Sequence, residues 1–233
     1  MINRMLAVGL ASACLCFTQK TVQAQVRILP LGDSVTSSFS PHNSYRFWLW
    51  HKLTDNGFNV DFVGTQNGVA DGAPANPDFD MDHEGHPGWT TTDGLNRVDA
   101  IAAATQPDIV LLDLGANDVI SGVPIPTIIA QLKAIIDHLR AANPNVKVLV
   151  AEPTGYVGQN SRQMSKLKGA IGNFASHASQ PGSKVKAVNL FGGFNVSSDT
   201  FDGMHPNDSG EKKISNRFYS ALKSMAIMQA NRQ

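Results

Sequence analysis

From Val26 onward, short apolar runs alternate with amphipathic stretches. Val26–Leu31 (only Arg27 polar), Val60–Val63, Asp108–Leu114, Val146–Ala151 and Val185–Leu190 are brief, rich in Val, Ile and Leu, and bounded by turn residues. Each reads as a buried strand. Between them the period lengthens. Tyr45–Asn56 carries Phe47, Trp50 and Leu53 at a spacing of three and stops at Asn56-Gly57, a helix terminator. Gly94–Thr105 places Leu95, Val98, Ile101 and Ala102 on one face. Thr127–Ala141 repeats the pattern with Ile128, Leu132, Ile135, Ile136 and Leu139. Asn160–Ser179 does so with Met164, Leu167, Ile171 and Phe174, and Asn207–Ala230 with Ile214, Phe218, Leu222 and Met225. Residues 64–91 fit neither period and read as a long polar loop, a kind that is usually functional or disordered.

Strands alternating with helices, with no internal repeat, predict a parallel sheet covered by helices on both faces. Right-handed crossovers then give a three-layer α/β/α sandwich around five parallel strands. One domain, residues 25–233, accounts for the pattern. Many unrelated functions share this architecture, so the function has to be argued from a site.

Composition narrows the picture slightly. Of 233 residues 42% are hydrophobic and 16% charged, and 19 Lys and Arg balance 19 Asp and Glu. Without a basic excess, nucleic acid and anionic membrane are not expected partners. A neutral substrate and a monomer are expected. The start of the chain differs: Arg4, the apolar stretch Met5–Phe17, then Val22-Gln23-Ala24. That reads as an export signal cleaved after Ala24, and it predicts a secreted protein. A lipoprotein signal, with Cys14 or Cys16 lipidated, and a retained anchor are the rivals, although Ala11-Ser12-Ala13-Cys14 lacks the usual leucine. Both cysteines lie in this segment, so the expected mature chain has no disulfide and no thiol chemistry.

Four clusters follow predicted strands or sit in long loops: Gly32-Asp33-Ser34, Gly85-His86-Pro87-Gly88-Trp89, Gly115-Ala116-Asn117-Asp118 and Asp202-Gly203-Met204-His205-Pro206. Singly, each reads equally well as a turn or a helix cap. Together they supply acyl-transfer chemistry. Ser34 is the candidate nucleophile, His205 its base, and Asp202 the group that orients the imidazole. The Ser34 backbone N–H, a glycine N–H from the second cluster and the Asn117 amide are candidate oxyanion donors. Asp33 reads as a brace for the turn.

In order and spacing, Gly32-Asp33-Ser34, Gly88, Gly115-x-Asn117-Asp118 and Asp202-x-x-His205 resemble the four blocks of the SGNH (GDSL-type) hydrolases. The resemblance covers the mature chain. It implies a flavodoxin-like α/β/α sandwich that hydrolyses esters without a cofactor, with Ser34, Asp202 and His205 as triad and Ser34, Gly88 and Asn117 at the oxyanion. Gly88 is taken over Gly85 because a Gly-x-Thr pattern belongs to that block. Within the family, Pro30–Ser34, Val60–Gly64 and Asp82–Thr90 look most like carbohydrate esterase family 3. That implies removal of acetyl groups from acetylated xylan or a similar poly- or oligosaccharide, with Trp89 and Asp118 as candidate substrate-binding residues.

Alternatives stay open. A lipase, lysophospholipase or thioesterase of the same family is one; the polar loop favours carbohydrate. A non-catalytic carbohydrate-binding protein on this fold is another, and intact Ser34, Asp202 and His205 argue against it. The α/β-hydrolase fold wants Gly-x-Ser-x-Gly, which is absent. Asp78, Asp80, Asp82, His83, Glu84 and His86 crowd one loop. A structural calcium ion is one reading of them, a self-bonded polar loop the other, and no catalytic metal is expected. Trp48 and Trp50 read as helix packing. His42, His51, His138 and His177 read as surface or core. The sequons at Asn195 and Asn207 are candidate glycan acceptors, the second too near His205 to be used.

Overall fold

The computed structural model of the chain describes residues 25–225, except 157, 159 and 160. The segment read as an export signal lies outside the described residues, as does the end of the last expected helix. In chain order the elements are β1 (Val26–Gly32), α1 (Ser34–Ser37), α2 (Ser44–Thr54), β2 (Val60–Phe62), β3 (Gln66–Asn67), β4 (Asp82–Gly85), α3 (Thr91–Thr105), β5 (Ile109–Asp113), α4 (Ala116–Ile120), α5 (Ile125–Ala142), β6 (Lys147–Glu152), α6 (Ser161–Ala178), β7 (Val185–Asn189), α7 (Val196–Asp199) and α8 (Asp208–Ser224).

The five expected strands are β1, β2, β5, β6 and β7. They pair in parallel in the order β2-β1-β5-β6-β7. Strand residues alternate between two apolar layers because successive side chains point to opposite faces. Leu29, Leu31, Val110, Leu112, Val148 and Val150 pack with Val98 and Ile101 of α3, Ile128, Leu132 and Ile135 of α5, and Leu167 and Ile171 of α6. Ile28, Ile109, Leu111, Leu149 and Val188 pack with Leu49 and Leu53 of α2 and with Ile214, Phe218 and Leu222 of α8. These are the three layers the periodicity predicts.

The strand order reverses at β1: β2 lies on one side and β5 on the other. Sites on open α/β sheets form at such a switch point, outside the carboxyl ends of the strands. Two of the four clusters, Gly32-Asp33-Ser34 and Gly115-Ala116-Asn117-Asp118, leave the sheet there.

The expectation of one long loop without strands over 64–91 is corrected. β4 continues the edge above β2, pairing Leu31 with Glu84 and Gly32 with Gly85 in parallel. β3 runs antiparallel to β4. Neither has strand-like hydrophobicity, because their side chains bond within the loop. Gly32 and Gly85, opposite one another, let α1 sit down on the strand ends. A Cβ on Gly32 would strike Thr36, and one on Gly85 would strike the Ser37 backbone.

α3 begins three residues earlier than the apolar pattern suggests. Thr90 and Asp93 form a reciprocal capping box, which fixes a helix start before apolar periodicity begins.

Candidate active site

Ser34 is the first residue of α1, directly after β1. Asp33 caps this short helix, its Oδ1 accepting from the Val35 N–H at 2.9 Å. The serine is buried to 9% exposure, and its Oγ lies 3.0 Å from His205 Nε2. On the other side of the ring, Nδ1 lies 2.6 Å from Asp202 Oδ2. Asp202 Oδ1 accepts from the backbone N–H groups of Met204 and His205, which closes the Asp-x-x-His turn. Partial burial of Asp202 works against its charge, but the bonds from the His205 ring and from these two amides outweigh it and hold the carboxyl below its usual range. Ser34, His205 and Asp202 thus form a continuous chain, with the carboxylate ionised at neutral pH.

Asn117 lies in α4, past the end of β5. Its Nδ2 donates to the Trp89 carbonyl at 2.9 Å and to Asp33 Oδ2 at 3.2 Å. Two buried carboxyls underlie this region. Burial pushes Asp33 up to about 6, against the Val35 amide and His205, which favour its charge. Asp113, at the end of β5 and level with Gly32, is pushed well above the usual range by burial and then by Asp33. Asp33 is therefore more than a turn brace: it links the Ser34 helix to the Asn117 amide. Gly88 is exposed, with φ of 81°, and its N–H has no protein partner among the described residues.

One expected substrate contact is corrected, and the other is placed apart from the Ser34 cavity. Asp118 is fully buried. Its Oδ2 accepts from the Thr91 N–H at 2.9 Å and its Oδ1 from the Thr91 hydroxyl at 2.6 Å, so it ties α4 to the start of α3. The Trp89 ring carries His86 stacked at 3.7 Å and lines a separate cleft with Thr65, Gln66, Glu84 and Arg97. The cavity at Ser34 is lined instead by Asp33, Val35, Ala116, Asn117, Ile120, Thr154, Gly155, Tyr156 and Met204.

The loop carboxylates do not converge on a point. Asp80 accepts from the Phe62 and Asp82 amides, Asp82 from Asn67, and Glu84 from Thr65 and His86. Among the described residues no three of His, Cys, Asp and Glu are grouped as around a metal ion. At Asn207 the side chain caps α8 and donates to the Ser198 and Thr200 carbonyls.

Sequence reasoning missed Arg46. It sits in α2 fully buried, with no salt bridge to a carboxylate among the described residues. Its Nε donates to the Thr36 carbonyl at 2.9 Å, and its two terminal nitrogens donate to the carbonyls of Met81, Ser37 and Gly68. One guanidinium therefore joins the end of α1 to the long loop. Burial lowers it to about 10, so it keeps its charge at neutral pH. His51 and His138 do find acids, Asp78 at 3.6 Å and Asp99 at 2.7 Å, from elements too distant in sequence for spacing to reveal.

This geometry meets its match in known proteins. The profile of the GDSL-like Lipase/Acylhydrolase family matches residues 31–213, from the Ser34 strand past His205. The chain belongs to this family. A multidomain esterase of Ruminococcus flavefaciens is 29% identical over 214 residues; these are 81% of this chain and 27% of that protein, so the chain spans about a quarter of that relative. An acetyl esterase mutant crystallised with an acetate ion superposes with a TM-score of 0.76 at 29% identity, covering 86% of this chain and 98% of the other. A family 3 carbohydrate esterase from Talaromyces cellulolyticus does so with a TM-score of 0.76 at 30% identity, over the same 86% and 98%. The chain is thus an esterase of the GDSL family, structurally close to the family 3 carbohydrate esterases.

For this GDSL esterase the Asp202 geometry gives an expected outcome. Asp202→Asn keeps the oxygen that receives the two backbone amides but weakens the hold on the imidazolium. Steady-state hydrolysis of p-nitrophenyl acetate should show kcat lowered about a hundredfold, with the urea midpoint nearly unchanged. An unchanged kcat would mean that Ser34 and His205 work as a dyad.

Proposed function

We propose that this chain is a secreted enzyme that removes acetyl groups from acetylated plant polysaccharide, acetylxylan foremost, through an acetyl-Ser34 intermediate. The observation that carries the acetyl assignment is the size of the cavity beside Ser34, about 20 Å³. A space of that order holds about one water-sized group, which suits the methyl of an acetyl better than a fatty acyl chain. The larger groove, about 680 Å³ between α5 and α6, shares none of its lining with that cavity. The acetyl esterase among the similar structures supports the same reading. The export-type amino terminus supports secretion.

In this mechanism Ser34 Oγ attacks the ester carbonyl carbon as its proton passes to His205 Nε2. Asp202 holds Nδ1 and stabilises the imidazolium. The carbonyl oxygen, now anionic, takes hydrogen bonds from the Ser34 and Gly88 N–H groups and from Asn117, which exchanges its longer bond to Asp33 for the oxyanion. The C–O bond to the sugar breaks, and His205 returns its proton to the departing hydroxyl. Water then attacks the acetyl-serine, giving its proton to His205, and acetate leaves as the proton returns to Ser34.

A chain-length series tests the acetyl assignment. Wild type should prefer p-nitrophenyl acetate to the butyrate by about tenfold or more in kcat/KM, and Ile120→Ala, which opens the cavity wall, should shrink that preference by about tenfold. A wild type faster on octanoate than on acetate would overturn the assignment.

A further inference from the structure

Among the described residues three large apolar side chains are exposed: Ile120 at 40%, Phe191 at 42% and Phe201 at 44%. All three border the Ser34 site. Ile120 lines the cavity. The Phe191 ring lies against the cavity residue Gly155, where an added Cβ would come within 2.9 Å of Cε2. Phe201 lies against His205, with ring centroids 5.8 Å apart and planes 24° apart. Exposed apolar surface concentrated at one place marks a binding surface.

Phe201 is also held in place. His42, from the loop ahead of α2, stacks on it at 4.2 Å with the planes only 8° apart. On another side of His205, Phe39 meets the imidazole edge-on at 4.8 Å. The reaction itself dictates what must come here. His205 Nε2 protonates the departing oxygen, so that oxygen lies within hydrogen-bond reach of Nε2. The acyl methyl occupies the small cavity on the Ile120 side. The alcohol portion, too large for that cavity, has to rest outside it, among the neighbours of His205.

We propose that Phe201, backed by His42, is the platform on which the pyranose ring of the acetylated sugar lies while its acetyl group is removed. This rests on the polysaccharide reading above. An aromatic surface of this kind matches the C–H-rich face of a sugar ring, and covering the exposed ring removes apolar area from water. Phe201 is a specificity residue for the leaving alcohol; it takes no part in the proton transfers. It also explains a histidine, His42, that the sequence left as surface or core.

The test compares an acetylated xylo-oligosaccharide, ethyl acetate and a lysophospholipid as substrates for wild type, Phe201→Ala and Phe201→Trp. Phe201→Ala should lose about tenfold in kcat/KM on the saccharide, through KM, and change by no more than about twofold on ethyl acetate, whose alcohol cannot reach the platform. Phe201→Trp should restore the saccharide KM. Equal losses on saccharide and ethyl acetate would overturn the proposal, since Phe201 would then only steady His205. So would a saccharide KM that Phe201→Ala leaves unchanged, and in that case the polysaccharide reading survives. A wild type that prefers the lysophospholipid overturns that reading and the platform with it.

Discussion

Replacing Ser34 by alanine should lower kcat on p-nitrophenyl acetate by about four to six orders of magnitude. The hydroxyl stands 3.0 Å from His205 Nε2 and is the atom that forms the acyl bond in the proposed mechanism. His205 and Asp202 cannot compensate for its loss, because members of such a unit fail together. Folding should be unaffected. The Asp33 cap and the contacts of Thr36 and Ser37 involve other atoms, so the urea midpoint should move little. A variant that retains more than about a hundredth of the wild-type rate would remove Ser34 as nucleophile.

The largest expected effect on stability belongs to Arg46. Replacing it by methionine keeps much of the volume but leaves the Ser37 carbonyl without its Arg46 donor in a buried place, and takes one donor each from Thr36, which keeps the Ser44 hydroxyl, from Met81, which keeps the Gly68 N–H, and from Gly68. A buried acceptor stripped of its partner costs about 1–3 kcal/mol. Water entering the gap relieves part of this, so Arg46→Met should lose about 1–3 kcal/mol in urea unfolding at neutral pH. Arg46→Lys should recover part of the loss, since an ammonium keeps the charge but cannot span the same carbonyls. Glu211, also buried, fixes the neighbouring Ser44 amide at 2.8 Å and the Trp48 indole at 3.2 Å, so the damage should extend along α2. A loss below about 1 kcal/mol would mean that the loop and α1 hold their geometry without Arg46.

The fold was largely legible because its strands and long helices bury apolar residues in the sheet and helix periods. Ile109 to Leu112, dividing between the two layers, is the plainest case. β3 and β4 were not legible. Asp82-His83-Glu84-Gly85 is strand because β1 offers it an edge and Thr65, Asn67 and His86 answer its polar groups, a tertiary cause that leaves no periodic trace. At the site, residue types and chain order placed Ser34, Asn117, Asp202 and His205 together. They could not separate Asp118, which looks like a cleft residue beside Asn117, from the buried acceptor that Thr91 makes of it. Nor could they place Trp89, whose carbonyl meets Asn117 while its ring lines another cleft. Arg46 and Phe201 were missed for opposite reasons. A buried arginine on an amphipathic helix reads as surface, and an exposed phenylalanine reads as core.

Acetate release from acetylated xylan, set beside fatty-acid release from a lysophospholipid at equal ester concentration, tests the central claim most directly. The acyl role proposed for the 20 Å³ cavity predicts that wild type favours the acetylated xylan by at least about tenfold in kcat/KM. Faster release from the lysophospholipid, or no acetate from the polysaccharide, would contradict it.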